Sequence, residues 1–393
     1  MKEKYRRILI QNGRVKTMSG REFTGSLLLE DGKIAALGET LEAEISPDTL
    51  VLDAEGCFVL PGFIDAHCHV GISEEVYRWE GEDCNEMTDP VTPDLRAIDA
   101  INPEDEGFRD ARSGGITAVF TGPGSANVIG GCGTVLKTAG KIVDQMVIRD
   151  PAGLKIAFGE NPKLIYGEQK KMPMTRMGTA ALIRQSLVDA QTYIDKLELG
   201  KNDPDKLPER DLGLDVLVQV LRREIPLRAH AHRADDMMTA VRIAREFQVD
   251  MVLEHCTDGH KIAPELAELG YPAVVGPLLV NRAKVELKDK SWTTPGVLAR
   301  AGVKVAIMTD HAVTPIEQLP LCAALACKAG MDEEEALRAI TINPAEILGV
   351  AERIGSLEVG KDADVVVWSE HPFVLTARPR YVIIDGRVVF PEA

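Results

Sequence analysis

Six of the eight histidines in this 393-residue chain stand at or just past the ends of short apolar runs. His67 and His69 follow Val59-Leu-Pro-Gly-Phe-Ile, and His230 and His232 follow Ile225-Pro-Leu-Arg-Ala. His255 ends Met251-Val-Leu-Glu, and Asp310 with His311 ends Val303-Lys-Val-Ala-Ile-Met-Thr. In an extended segment, residues two apart point to the same side. Each His-x-His therefore aims two imidazoles at one point, where they can chelate a divalent cation. Taken singly, a strand-end histidine is more often hydrogen-bonded than metal-bound, and Asp310 alone could cap a helix. Four apolar runs in series with the same ending argue instead for one shared metal site.

Such a site needs a frame that brings the four run ends together. Across 61–348, apolar runs at 59–66, 116–120, 154–158, 225–229, 251–253, 273–275 and 303–308 alternate with helical patterns such as 235–247, 262–269 and 332–340. Alternating βα units imply a parallel sheet. The length suits a (β/α)8 TIM barrel, in which strand ends share the active-site rim. A doubly wound open sheet is the alternative, but no dinucleotide glycine fingerprint follows the first strand.

The two ends differ from the middle. Asn12-Gly13, Asp31-Gly32 and Asp385-Gly386 read as hairpin turns between short apolar strands. Residues 1–60 and 349–393 are thus expected to form one composite β-sandwich domain beside the barrel of 61–348. Residues 73–106, acidic and proline-containing, read as a loop insertion that is either a solvated excursion or a functional lid. The glycines at 122–133 are expected to shape rim loops. Gly355-Ser-Leu-Glu-Val-Gly-Lys361-Asp362 nearly matches a phosphate-binding loop, but Asp362 stands where a hydroxyl residue is required, so it reads as a turn.

Composition excludes other classes. With 45 Lys and Arg against 61 Asp and Glu, the formal charge is −16, which argues against nucleic acid. No apolar run approaches the ~18 residues of a membrane span, and residues 1–14 lack an apolar stretch of signal-peptide length. Seven cysteines without framework spacing fit reduced thiols in the cytoplasm.

The segments Pro61-Gly-Phe-Ile-Asp-Ala-His67-Cys-His69, then His230, His255 and Thr309-Asp310-His311, resemble the metal-dependent amidohydrolase superfamily, closest to its imidazolonepropionase and Xaa-Pro dipeptidase-like branch. The stretch 355–367 is similar to that family's return into its small β-sandwich. The resemblance implies that His67, His69 and Asp310 bind one metal, and that His230 and His255 bind a second or complete a single site. It implies a bridging ligand on an intermediate strand, for which Glu160 is preferred over a carboxylated Lys155. Zinc is the expected metal, one or two per chain, with manganese or iron as alternatives. Asp310 is the expected general base and acid. His232 and His311 are expected to orient the substrate or the oxyanion, and Arg228 and Arg233 are candidates for a substrate carboxylate. The implied activity is hydrolysis of a C–N bond in a small amide, cyclic amide or peptide, by a homo-oligomer. Two other readings stand beside it. One is a heterocycle deaminase, weakened by the lack of a glutamate just past His230; the other is a non-catalytic scaffold of the same fold.

Overall fold

In a computed structural model the described residues are 5–41, 43–76 and 79–391. The chain begins with β1 (Arg7–Lys16), β2 (Glu22–Glu30), β3 (Lys33–Gly38), β4 (Thr49–Asp53) and β5 (Phe58–Pro61). Asp31-Gly32 is the turn between β2 and β3, as the sequence suggests, but Asn12-Gly13 is not a turn. It is a bulge inside β1, with Asn12 at φ 57° and the register against β2 shifting between Ile10 and Gly13. The bulge has a purpose in the sheet: β1 pairs in parallel with β4 before it and with β5 after it. Gly13 is required there, since a Cβ would fall 2.5 Å from the Val59 side chain.

The chain then enters the barrel through β6 (Phe63–Cys68), β7 (Ile116–Thr121), β8 (Ile129–Lys137), β9 (Val147–Ala157), β10 (Leu227–Ala231), β11 (Met251–His255), β12 (Ala273–Val275) and β13 (Val305–Ile307). These strands neighbour one another in chain order, β6 through β13. The expected barrel is therefore present, with one departure. β8 runs antiparallel to both β7 and β9, whereas the other ladders are parallel. Its glycines, expected to shape rim loops, are strand residues. Gly131 sits at φ 112°, where a Cβ would lie 2.5 Å from the Leu95 carbonyl oxygen. That space admits the segment 90–96 of the insertion, which forms bridges Val91–Ile129 and Arg96–Cys132 along β8.

The barrel closes between β13 and β6 through the residues just beyond them. The Asp310 N–H donates to the His67 carbonyl at 3.3 Å and the His69 N–H to the His311 carbonyl at 2.8 Å. Inside, Ile64, Ala66, Ala118, Val135, Val252, Val274 and Ala306 pack with Ala345, Leu348, Val350 and Ile354, which plug one end. Filling by branched apolar side chains is what a barrel interior of eight strands demands.

Past the barrel the chain forms β14 (Val365–Trp368), β15 (Pro379–Ile384) and β16 (Arg387–Phe390), with Asp385-Gly386 as the last turn. They join the first sheet in the order β16-β15-β14-β5-β1-β2-β3, with β4 on β1. Ile8, Ile10, Leu27, Leu29, Val59, Val365, Val367 and Ile383 form its own core. The Lys137 ammonium, at the end of β8, reaches across to Asp364 at 2.5 Å, Asp362 at 3.1 Å and Asp385 at 3.2 Å. Asp362 is thus a buried ion-pair residue in a turn, which accounts for the acid in the phosphate-loop lookalike. Among the described residues no helix is long and apolar enough to cross a membrane.

Candidate metal centre

The C-terminal ends of the barrel strands carry the side chains singled out in the sequence, and they fall into two groups. His67, His69 and Asp310 offer donor atoms that all lie within 4.8 Å of one another, and so do His230, His232 and His255. The groups adjoin, the His67 and His255 rings being 5.3 Å apart.

The first group sits on the closure of the barrel. Asp65 ties the two sides: its Oδ1 accepts the His67 N–H at 3.1 Å, and its Oδ2 accepts the Thr309 N–H at 3.0 Å and hydroxyl at 2.5 Å. Asp310 Oδ1 then stands 3.2 Å from His67 Nε2 and 3.3 Å from His69 Nε2. His69 Nδ1 lies 2.7 Å from the Gly122 carbonyl oxygen, which fixes a proton on Nδ1 and leaves Nε2 facing Asp310. Burial disfavours a charge on Asp310, but His67 and His69 outweigh it and hold the carboxyl well below the usual carboxylate range.

The second group is deeply buried. His255 Nδ1 lies 3.1 Å from the Gly276 carbonyl oxygen and His232 Nδ1 lies 2.8 Å from the Thr257 hydroxyl. The Nε2 atoms of His230, His232 and His255 have no hydrogen-bond partner. Burial, reinforced by neighbouring positive groups, holds all three imidazoles well below their ordinary range. Three neutral, converging, unsatisfied ring nitrogens are costly unless a ligand occupies the point between them. The donor set suits a borderline cation such as zinc. Two of the donor residues, His255 and Asp310, hold φ of 72° and 56°. That conformation is sparsely populated for residues with a Cβ and concentrates at working sites.

Beneath the ligands lies a charged layer that the sequence reading missed. Glu254 of β11 has Oε1 3.0 Å from His67 Nδ1 and 2.7 Å from Arg228, while its Oε2 is 2.7 Å from the Lys155 ammonium. The Arg228 guanidinium also donates to the Ala66 carbonyl at 2.6 Å and stacks 3.8 Å over the Phe120 ring. Burial works against the Glu254 charge, yet His67, Lys155 and Arg228 lower its carboxyl well below the ordinary range. The available signal was a single charged residue within each of three apolar runs, Lys155, Arg228 and Glu254, whose side chains meet inside the barrel.

Several expected roles fall elsewhere. Arg228 is fully buried on Glu254 and cannot meet a substrate, and Arg233 pairs with Asp235 at 2.8 Å on the surface. Lys155 lies within its strand, with its ammonium 3.4 Å from His67 Nε2. Glu160 joins neither donor group. After Gly159 the chain turns into the helix Glu160–Glu168, and the Glu160 backbone N–H donates at 3.1 Å to Glu286 Oε2. His232 lies in the second donor group, its ring 4.5 Å from that of His255. His311 is buried, accepts the Ile316 N–H on Nδ1 at 3.2 Å, and has Nε2 3.5 Å from Glu75 of the insertion.

The insertion is fastened over this rim. Asp105 accepts the N–H groups of Gly71 and Glu75, and Asn85 accepts that of Ala126, while the Gly124 N–H donates to the Cys84 carbonyl.

Comparison with known proteins adds the following. The family model described as "Amidohydrolase family" matches residues 224–389. A crystal structure of an amidohydrolase from Thermotoga maritima MSB8 is 48% identical, superposes with a TM-score of 0.94, and covers 98% of this chain and 99% of its own. The amidohydrolase tasK of Hapsidospora irregularis is 29% identical across 94% of this chain, which spans only 40% of that larger protein. An imidazolonepropionase of Symbiobacterium thermophilum is 27% identical over 88% of this chain and 84% of its own length.

Proposed function

Since the chain belongs to the amidohydrolase family, in its imidazolonepropionase-like branch, we propose that it is a divalent-metal hydrolase that opens a C–N bond of a small amide, cyclic amide or peptide. The observation that carries this reading is the pair of converging donor groups, with three buried ring nitrogens that have no hydrogen-bond partner. His67, His69 and Asp310 would hold one cation, and His230, His232 and His255 a second. A bound divalent cation would supply Lewis acidity and bring the pKa of a water to about 7.

The chain's own residues supply the rest. Asp310, ionised and at the edge of the first group, takes the proton of the attacking water and returns it to the leaving nitrogen. Glu254, 3.0 Å from Nδ1, backs His67 with a buried negative charge, as a carboxylate beside a ligating histidine does. The insertion, pinned to the rim by Asp105 and Asn85, limits the water that reaches the reacting bond.

The test is metal content per chain by plasma mass spectrometry on protein grown with zinc or manganese, joined to a screen of N-acyl amino acids, lactams and dipeptides. One or two equivalents per chain, with hydrolysis abolished by a chelator and restored by metal, supports the proposal. Folded protein with no metal, or hydrolysis indifferent to chelation, sinks it.

A further inference from the structure

One carboxylate near the site has no role in the argument so far. Glu286 lies in the irregular connection between β12 and the helix Thr294–Ala301, in the single turn Val285–Leu287. Its neighbour Val285 is 71% exposed, yet Glu286 is 4% exposed. The loop around it is built to hold that pose. Lys290 donates to the carbonyls of Leu278 and Val280, and Arg282 donates to those of Lys288 and Lys290.

The Glu286 carboxylate docks on the end of β9. Its Oε2 accepts the Glu160 N–H at 3.1 Å. The approach depends on Gly159, at φ 83°, where a Cβ would lie 2.7 Å from Oε2. A carboxylate from the far connection therefore occupies the place at which Glu160 was expected to point inward.

The other oxygen, Oε1, is buried and makes no hydrogen bond. It lies 3.7 Å from His232 Nε2 and 4.0 Å from His230 Nε2, with the Lys284 ammonium 3.8 Å away on its outer side. The two facing Nε2 atoms are the unsatisfied ones. Metal–ligand bonds of about 2.1 Å in a tetrahedron place donors roughly 3.4 Å apart. The spacings to His232 and His230 need only a small contraction to meet that, while Glu286 must move further to join the group that the three histidines already form.

We propose that Glu286 is the fourth donor of the His230, His232 and His255 group, making it a closed four-donor cation site beside the three-donor site of His67, His69 and Asp310. The inference rests on the metal-binding reading above. It divides the labour between the sites, since a closed site leaves no position for water and an open one does.

The experiment compares zinc binding by the full-length chain with that of E286Q, H230A and D310N, using a competing chromophoric chelator for affinity and mass spectrometry for stoichiometry. Glutamine keeps an acceptor for the Glu160 N–H. E286Q is expected to weaken one zinc equivalent tenfold or more, the same equivalent that H230A removes, while D310N acts on a different one. Unchanged affinities in E286Q overturn the assignment, even if turnover falls, because Glu286 would then serve proton transfer or the fold. No zinc in the wild-type chain sinks the underlying metal reading instead, a distinct result. Should E286Q not fold, wild-type protein loaded with Co(II) gives a second readout. An intense four-coordinate visible band that H230A abolishes supports the site, and bound Co(II) without that band overturns it.

Discussion

Glu254 Oε1 lies 3.0 Å from His67 Nδ1, reaching from β11 to β6 across the interior of the barrel. His67 thus stands between two carboxylates, Glu254 beside Nδ1 and Asp310 beside Nε2. Glu254 is also the counter-charge for Lys155 and Arg228, both buried. Glu254→Gln is expected to lower metal affinity or turnover about 10–100-fold by loosening His67. Glu254→Ala leaves two buried cations unpaired and is expected to cost about 3–5 kcal/mol of stability. Zinc titration and denaturant unfolding of the two variants separate these effects.

Asp310→Asn keeps shape and removes the proposed proton acceptor. Turnover of any amide found to be a substrate is expected to fall by about 10²–10⁴-fold. Steady-state kinetics at matched metal content is the check. Full activity in the asparagine variant would exclude Asp310 from the chemistry.

Lys137 is buried against Asp362, Asp364 and Asp385 and joins β8 to the terminal sheet. Replacement by Met leaves these acids without their ammonium, and a loss of about 3–5 kcal/mol in urea unfolding is expected. Burial lowers the Lys137 pKa, but Asp364, Asp385 and Asp362 outweigh it and raise the folded value above 10.5. A raised folded value means the contribution is complete below the unfolded pKa and is lost as pH climbs through the folded one. The stability gap between wild type and K137M should therefore be constant up to about pH 10 and shrink above it. A gap that grows with pH would contradict the arrangement.

Burial pushes the thiols of Cys132 and Cys322 up to about 12, and that of Cys327 up to about 11. Cys327 alone of the seven is not buried. Native protein at pH 8 is expected to take up at most one alkyl group, slowly, and denatured protein seven. Intact mass measurement after iodoacetamide treatment counts them.

What the sequence revealed and what it hid have physical causes. His67 with His69 and His230 with His232 were legible because strand geometry converts a two-residue spacing into a shared direction, and His255 and Asp310 because they end apolar runs that share one rim. The parallel strands were legible because burial on both faces makes them apolar runs. β8 was not legible: Gly130, Gly131 and Gly133 suppress any strand pattern, Gly131 leaving room for Leu95 and Gly133 for the Phe120 ring. Glu160 misled because the chain turns outward after Gly159, which no local signal announces. Glu286 was invisible for the opposite reason, since Glu160, His230 and His232, which it faces, lie more than fifty residues upstream.

A cation bound at the barrel seam would bear on how the chain folds. β6 and β13 lie over two hundred residues apart in sequence, and a few hydrogen bonds around Asp65, His67 and His311 join their ends. Bringing such distant segments together carries a large ordering cost. A cation shared by His67, His69 and Asp310 would act as a clasp across that seam. Occupancy and folding are then thermodynamically linked, so each should report on the other. Chelation should reveal itself first as faster amide hydrogen exchange along β6 and β13, before any change in the terminal sheet.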